Sequence, residues 1–242
     1  MRPKWDRHQG RPEPIRALNA IRELENGEPL VDIREYAPKL VIAREQVIPF
    51  VRKRVAEMVH QATLLIPDGI RLGLVEGWRP IERQQRIYDF LWKCAVEAYP
   101  NRDHAALRRT VCRWVAPTDQ KAPPGHCTGA AVDVWLLDGE GKEMNVWAPY
   151  SRFEASPMFT LGLTEEAHKL RMTLYNAMMS VGFSNCRDEW WHYSYGDAGY
   201  AVRTAQTTCV YGLTKLDKAI YEELEKLAQE SFKDRPNPFL AA

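Results

Sequence analysis

Histidine and carboxylate side chains set a few residues apart are the material of metal and acid–base chemistry, and two segments of this chain carry them. The first is Pro124-Gly125-His126-Cys127-Thr128-Gly129-Ala130-Ala131-Val132-Asp133. Ala130 to Leu137 reads as a buried strand with Asp133 in its middle, and an unpaired carboxylate in an apolar strand is costly to desolvate. Either a divalent metal or an arginine can compensate it. His126 stands just ahead of the strand as a candidate co-ligand, and Gly129 permits close backbone approach. The second segment is Asp188-Glu189-Trp190-Trp191-His192-Tyr193. A Glu three residues before a His can supply a base and a ligand to one site, as hydrolytic zinc centres require. A surface Glu beside a packed His on an aromatic strand is the plainer alternative. A third segment, Glu76-Gly77-Trp78-Arg79-Pro80, ends a strand. From there Arg79 can reach a cleft and stabilise negative charge developing on a carbonyl oxygen, or it can be a surface or salt-bridging residue. His8, His60, His104 and His168 have no partner at ligand spacing and read as surface or structural. Cys127 points away from His126 on extended backbone and reads as a packed thiol.

Elements must bring these segments together. Leu72-Gly73-Leu74-Val75 is a short apolar run that leads into the Arg79 segment and reads as a strand. Pro80 suits the first position of the next helix, where its missing N–H costs nothing. That helix is predicted from Ile81 to Ala98, with Ile87, Phe90, Leu91, Cys94, Ala95 and Ala98 at helical spacing. The same spacing in Val47, Phe50, Val51, Val55 and Met58 predicts a helix within 41–65, followed by the turn Ile66-Pro67-Asp68-Gly69. Residues 100–124 read as loop, marked by Pro117, Pro123 and Pro124. A turn at Asp138-Gly139-Glu140-Gly141 and a long loop over 143–163 follow the Asp133 strand. Thr164 is a candidate N-cap for a helix with Ala167, Leu170, Leu174, Met178 and Val181 on one face, and Gly182 can close it. Trp190 to Tyr195 alternates as a strand, and a last helix is predicted over 214–232. Helices and strands without a regular βαβ rhythm predict an α+β domain with a mostly antiparallel sheet.

The charge balance, 33 Lys+Arg against 32 Asp+Glu, argues against a nucleic-acid partner, whose footprint is a basic excess or stripe. The basic start of the chain (Arg2, Lys4, Arg7, Arg11, Arg16) also holds Asp6 and Glu13 and reads as a solvated arm. Residues 1–30 are polar and punctuated by Pro and Gly; residues 31–242 are expected to form one domain with a C-terminal helix. No apolar run reaches the ~20 residues of a membrane span, so no membrane partner is expected. The N-terminus also lacks the apolar stretch of a secretory signal. Cys94, Cys112, Cys127, Cys186 and Cys209 are odd in number and include no Cys-x-x-Cys pair. That argues against a disulfide framework and for a reducing compartment, the cytoplasm. Homo-oligomerisation is left open.

Taken together, the segments resemble one family. The spacing His-x-x-Gly-x-Ala-x-Asp, here His126, Gly129, Ala131 and Asp133, followed by Glu189-Trp190-Trp191-His192, looks like the D-alanyl-D-alanine dipeptidases of the vancomycin-resistance type, in peptidase family M15. Gly77-Trp78-Arg79-Pro80 is similar to that family's Gly-Tyr-Arg-Pro, and Ser151-Arg152-Phe153-Glu154 to its Ser-Arg-Phe-acid stretch. The resemblance covers residues 30–200. It implies a Hedgehog/DD-peptidase-like α+β fold with helices packed on the sheet. It also implies one zinc ion per chain held by His126, Asp133 and His192, with Glu189 as general base and then acid. Arg79 would bind the scissile carbonyl oxygen, and Glu154 would lie near the substrate's ammonium group. The implied reaction is hydrolysis of a small D,D-dipeptide such as D-Ala-D-Ala. The rival expectations are a zinc carboxypeptidase or L,D-type peptidase on other cell-wall-derived peptides, and a zinc-binding module without catalysis. Two His and one carboxylate would also suit iron. Pro124 replaces a family Ser expected to help hold the substrate, and Cys127 stands where Ser is common. Both departures bear on substrate choice rather than on metal or base.

Overall fold

Residues 131–137 are apolar at every position but Asp133, and a strand of that composition needs cover on both faces. In the computed structural model, which describes residues 4–240, this strand is the middle one of a five-stranded sheet. Residues 1–3, with Arg2 of the basic arm, and 241–242 lie outside the described residues. The chain begins with α1 (Ile15–Ala20), β1 (Arg22–Glu23), β2 (Leu30–Asp32) and α2 (Ile33–Tyr36). Next come β3 (Val41–Ile42), β4 (Phe50–Arg52), α3 (Lys53–Leu64), β5 (Arg71–Glu76), α4 (Ile81–Ala98) and α5 (His104–Val111). A 3-10 turn (Gly125–Thr128) leads into β6 (Ala131–Leu137), α6 (Arg152–Ala155), α7 (Glu165–Ser180), β7 (Ser184–Asn185) and β8 (His192–Ser194). Last are α8 (Ala198–Arg203), β9 (Thr208–Cys209) and α9 (Lys218–Glu230).

The sheet order is β3-β5-β6-β8-β7, antiparallel except for the β3–β5 pair. The fold is therefore α+β with a mostly antiparallel sheet. Side chains alternate along a strand, so Val132, Val134 and Leu136 of β6 share one face. They join a core with Val55, Met58 and Val59 of α3 and Leu170, Leu174 and Met178 of α7. Asp133 faces the other way. The N-terminal arm lies against the domain: Asp6 N–H donates to Phe159 O at 3.0 Å, and Glu13 pairs with Arg203 at 2.7 Å.

Helix α4 has the predicted bounds, and Thr164 caps α7 by accepting from Ala167 N–H at 3.1 Å. Three expectations need correction. The helix expected within 41–65 is confined to α3; ahead of it the chain is extended as β3 and β4. Pro49 disfavours helix at Ile48, and Phe50 and Val51 are held in a ladder with β2, so their helical spacing is coincidental. Within the expected loop 100–124, α5 forms because Asp103 caps it, accepting from Ala106 N–H at 2.7 Å. Leu107 and Val111 then pack on Leu91 and Ala95 of α4. The last helix starts at Lys218 rather than Thr214, because Asp217 is its N-cap.

Arg171, on α7, is 1% exposed and has no carboxylate partner among the described residues. Its guanidinium donates to Val146 O, Pro157 O and Ala155 O, each at 2.7 Å, and so ties the long loop before α7 to the core. Burial pulls its pKa down to about 10, still far enough above neutral to keep the charge. Replacing it leaves several buried carbonyls without donors, each worth about 1–3 kcal/mol. Arg171→Leu should therefore destabilise the fold by ~3 kcal/mol or more, read as a fall in Tm. An unchanged Tm would mean the loop carbonyls find other donors.

Candidate metal centre

Strand register assembles the centre. Asp133 on β6 pairs with Glu76 on β5 to one side and with His192 on β8 to the other. Residues directly opposite in a sheet put their side chains on the same face, so the three stand abreast. An irregularity between Leu74 and Glu76 shifts the register at the end of β5, and such bulges re-aim the chain that leaves the strand. The 3-10 turn supplies His126 from above β6. Asp133 Oδ1 lies 3.3 Å from His126 Nε2 and 3.0 Å from His192 Nδ1. One ligand atom from each of these three residues lies within 4.8 Å of the others. Glu189 Oε2 is 3.9 Å from His192 Nδ1.

The His126 imidazole is oriented from behind. His126 Nδ1 lies 3.0 Å from Gly77 O; donating there leaves Nε2 with its lone pair toward Asp133. Gly77 itself runs close against the Ile48 backbone, where a Cβ would sit 2.7 Å from Ile48 O. The turn that carries His126 is held by Arg52, which is 2% exposed. Its Nε donates to Thr128 O and its backbone N–H to Gly129 O, both at 2.8 Å. Gly129 closes the turn at φ +71, and a Cβ there would overlap the Leu30 side chain. On the other side, Asn185 Nδ2 donates to Glu189 O at 3.2 Å and to His192 O at 3.0 Å, so one amide secures the bend between these two residues.

The electrostatics of the two carboxylates diverge. Burial alone would raise Asp133, but His126 and then His192 outweigh it and hold this carboxyl well below the usual carboxylate range. Burial pushes Glu189 up to about 7, with Asp133 adding and His192 and Arg79 opposing. Arg79 is set beside them by its own backbone, whose N–H donates to His126 O at 3.1 Å. Burial works against its charge, yet Glu76 and then Asp133 keep its pKa above the ordinary value. Glu76 Oε2 accepts from Arg79 Nε at 3.1 Å and Nη2 at 2.8 Å, and Gln84 Oε1 accepts from Nη1 at 2.7 Å. One N–H on each terminal nitrogen is left over.

Two imidazole nitrogens and a strongly acidic carboxylate suit zinc, and a buried carboxylate is what a divalent ion compensates. Cys127 is fully buried, with its thiol pushed up to about 12 by burial, and it stands outside the ligand group. Glu154 is not among the gathered residues: its carboxylate takes the Lys4 ammonium at 2.5 Å and the Ser151 hydroxyl at 3.2 Å. Glu76, Gln84, Asn185 and the Gly77 carbonyl were not singled out from sequence as orienting groups. Glu76 carried a signal, since it sits three residues before Arg79; the others act through amides, which sequence does not mark.

The chain belongs to the peptidase M15 family, described as D-ala-D-ala dipeptidase, whose model matches residues 38–209. A D-alanyl-D-alanine dipeptidase of Synechocystis sp. is 26% identical over 178 residues, covering 63% of this chain and 72% of that protein. The fold and family thus define a peptidase. The three gathered side chains allow a test of zinc binding that is independent of turnover. Adding zinc to the metal-stripped protein at about a thousandfold excess over Kd should stabilise it by ~4 kcal/mol, a Tm rise on the order of 10 °C. Asp133→Asn should abolish most of that rise; a mutant that responds like the wild type would take Asp133 out of the ligand set.

Proposed function

We propose that this protein hydrolyses short D,D-dipeptides such as D-Ala-D-Ala, with zinc held by His126, Asp133 and His192. The observation that carries this reading is the convergence of those three donors within 4.8 Å beside the raised Glu189 carboxyl, in a chain of the dipeptidase family. When bound, zinc supplies Lewis acidity, which makes water a nucleophile near neutral pH and polarises the peptide carbonyl.

The remaining chemistry falls to side chains of this chain. Glu189, with a pKa of about 7, takes the proton from the attacking water and returns it to the leaving amine. A carboxyl titrating near the working pH is suited to both transfers. Arg79 directs its two spare N–H groups at the carbonyl oxygen, where negative charge grows as the carbon becomes tetrahedral. Glu76 and Gln84 hold the guanidinium in advance, so little reorganisation accompanies the reaction. Glu154 would receive the dipeptide's ammonium in place of Lys4, whose ammonium its carboxylate binds at 2.5 Å. No helix among the described residues is long and apolar enough to cross a membrane, and a small dissolved dipeptide is the substrate class we favour.

Glu189→Gln should keep its zinc and lose about 10²–10⁴ in kcat. Arg79→Ala should lose about 10²–10³, chiefly in kcat, if it acts on the transition state. Metal content and steady-state kinetics check both; near-normal turnover in Glu189→Gln would remove the proposed base. Substrate class is read from a panel of D,D-, L,D- and L,L-dipeptides and longer cell-wall peptides, before and after chelation. Chelator-sensitive turnover confined to D,D-dipeptides is expected. Activity only on longer peptides would favour the carboxypeptidase or L,D-peptidase alternatives instead.

A further inference from the structure

The segment that carries Arg79 rests on α9, and α9 lies beyond the residues that match the family, 38–209. Trp78, 2% exposed, meets Tyr221 of α9 edge-on with ring centroids 5.2 Å apart. One helical turn into α4, Arg83 is 3% exposed and stands between two carboxylates. Its Nε donates to Glu225 Oε2 at 2.8 Å, and its Nη2 donates to Leu224 O at 3.2 Å, both on α9. Its Nη1 donates to Gln46 O at 3.1 Å and lies 3.9 Å from Glu76 Oε1, too far for a hydrogen bond. That oxygen is buried and has no hydrogen-bond partner among the described residues, while the other oxygen of the same carboxylate holds Arg79. Arg86 adds a second ion pair to Glu225, which is itself 7% exposed.

These contacts describe a competition. Arg79 holds one oxygen of Glu76, and Arg83 drawn onto the free one would turn the carboxylate off Arg79, the guanidinium that faces the metal centre. A buried guanidinium deprived of its counter-ion moves toward the nearest remaining carboxylate, because an unpaired buried charge is costly. For Arg83 that carboxylate is Glu76. We propose that α9 is a positioning element of the catalytic site: Glu225 keeps Arg83 engaged, so that Glu76 is left to aim Arg79. Glu225 touches no reacting atom; it acts through Arg83 and Glu76. The inference rests on the role given to Arg79 above.

The test uses the full chain and the variant Glu225→Gln, which keeps shape and an acceptor oxygen but removes the charge. It should lower kcat about tenfold, a displacement effect within the range known for misplaced groups, with KM changed less than twofold. Zinc content should match the wild type. The decisive variant is the double one, Glu225→Gln with Arg83→Gln, in which the competitor for Glu76 is gone. It should recover most of the lost kcat, whereas a role limited to packing predicts a double variant no better than the single one. A crystal structure of Glu225→Gln should find Arg83 turned onto Glu76. Wild-type kcat in Glu225→Gln, or no recovery in the double variant, overturns the proposal. So does an Arg83 unmoved in that crystal structure, which also decides the matter if the double variant folds poorly. A wild type without dipeptide turnover fails at the earlier reading and removes this role with it. Wild-type turnover that is lost in Arg79→Ala yet intact in Glu225→Gln removes only the role of α9.

Discussion

A carboxylate in the middle of an apolar strand is the constraint around which this molecule is arranged. Asp133 interrupts a run that is otherwise all hydrophobic, in a strand whose other face packs on α3 and α7. An ionised side chain there cannot be left alone, since its hydration has been given up and must be replaced. The sheet replaces it with His192 from the neighbouring strand and His126 from the turn ahead, at 3.0 and 3.3 Å. Everything that fixes those two rings therefore also fixes the charge balance of the core.

Three buried arginines secure the backbone behind the site, and each does it by donating to main-chain carbonyls. Arg52 grips Thr128 O behind His126. Arg171 grips Ala155 O and Pro157 O; Ser156 O, between them, accepts from Trp190 N–H next to Glu189. Arg83 grips Gln46 O and Leu224 O behind Arg79. A guanidinium suits this use because its five donors lie in one rigid plane and never titrate near neutral pH, so several carbonyls can be tied by one side chain. The loops around the site are thereby tied to the elements behind them.

The opposed shifts of Asp133 and Glu189 arise from one neighbourhood. Asp133 sits between both imidazoles, whereas Glu189 meets only one of them and feels Asp133 as a like charge. Neighbouring carboxyls driven apart in this way take different roles: the acidic one stays a ligand for cations, and the other can carry a proton. Arg79 and its partner Glu76 sit at the border of this pair and keep a fixed positive group within reach of it.

Much of this was legible in the residues. Asp133 is conspicuous because it violates the composition of its strand, His126 and Glu189–His192 because of their spacing, and α4 because its apolar positions repeat at helical period under a starting proline. The extended chain at β4 was not legible, since Phe50 and Val51 happen to fit a helical face and only pairing with β2 holds them straight. Nor was the clamp on His126, because the Gly77 carbonyl that makes it is a group every residue possesses. The sequence by itself determined which side chains can bind a metal or carry a proton, since that follows from chemical type. Tertiary structure alone decided that Glu76, Asp133 and His192 stand side by side, because strand register is set by pairing between distant segments, and local periodicity carries no information about it.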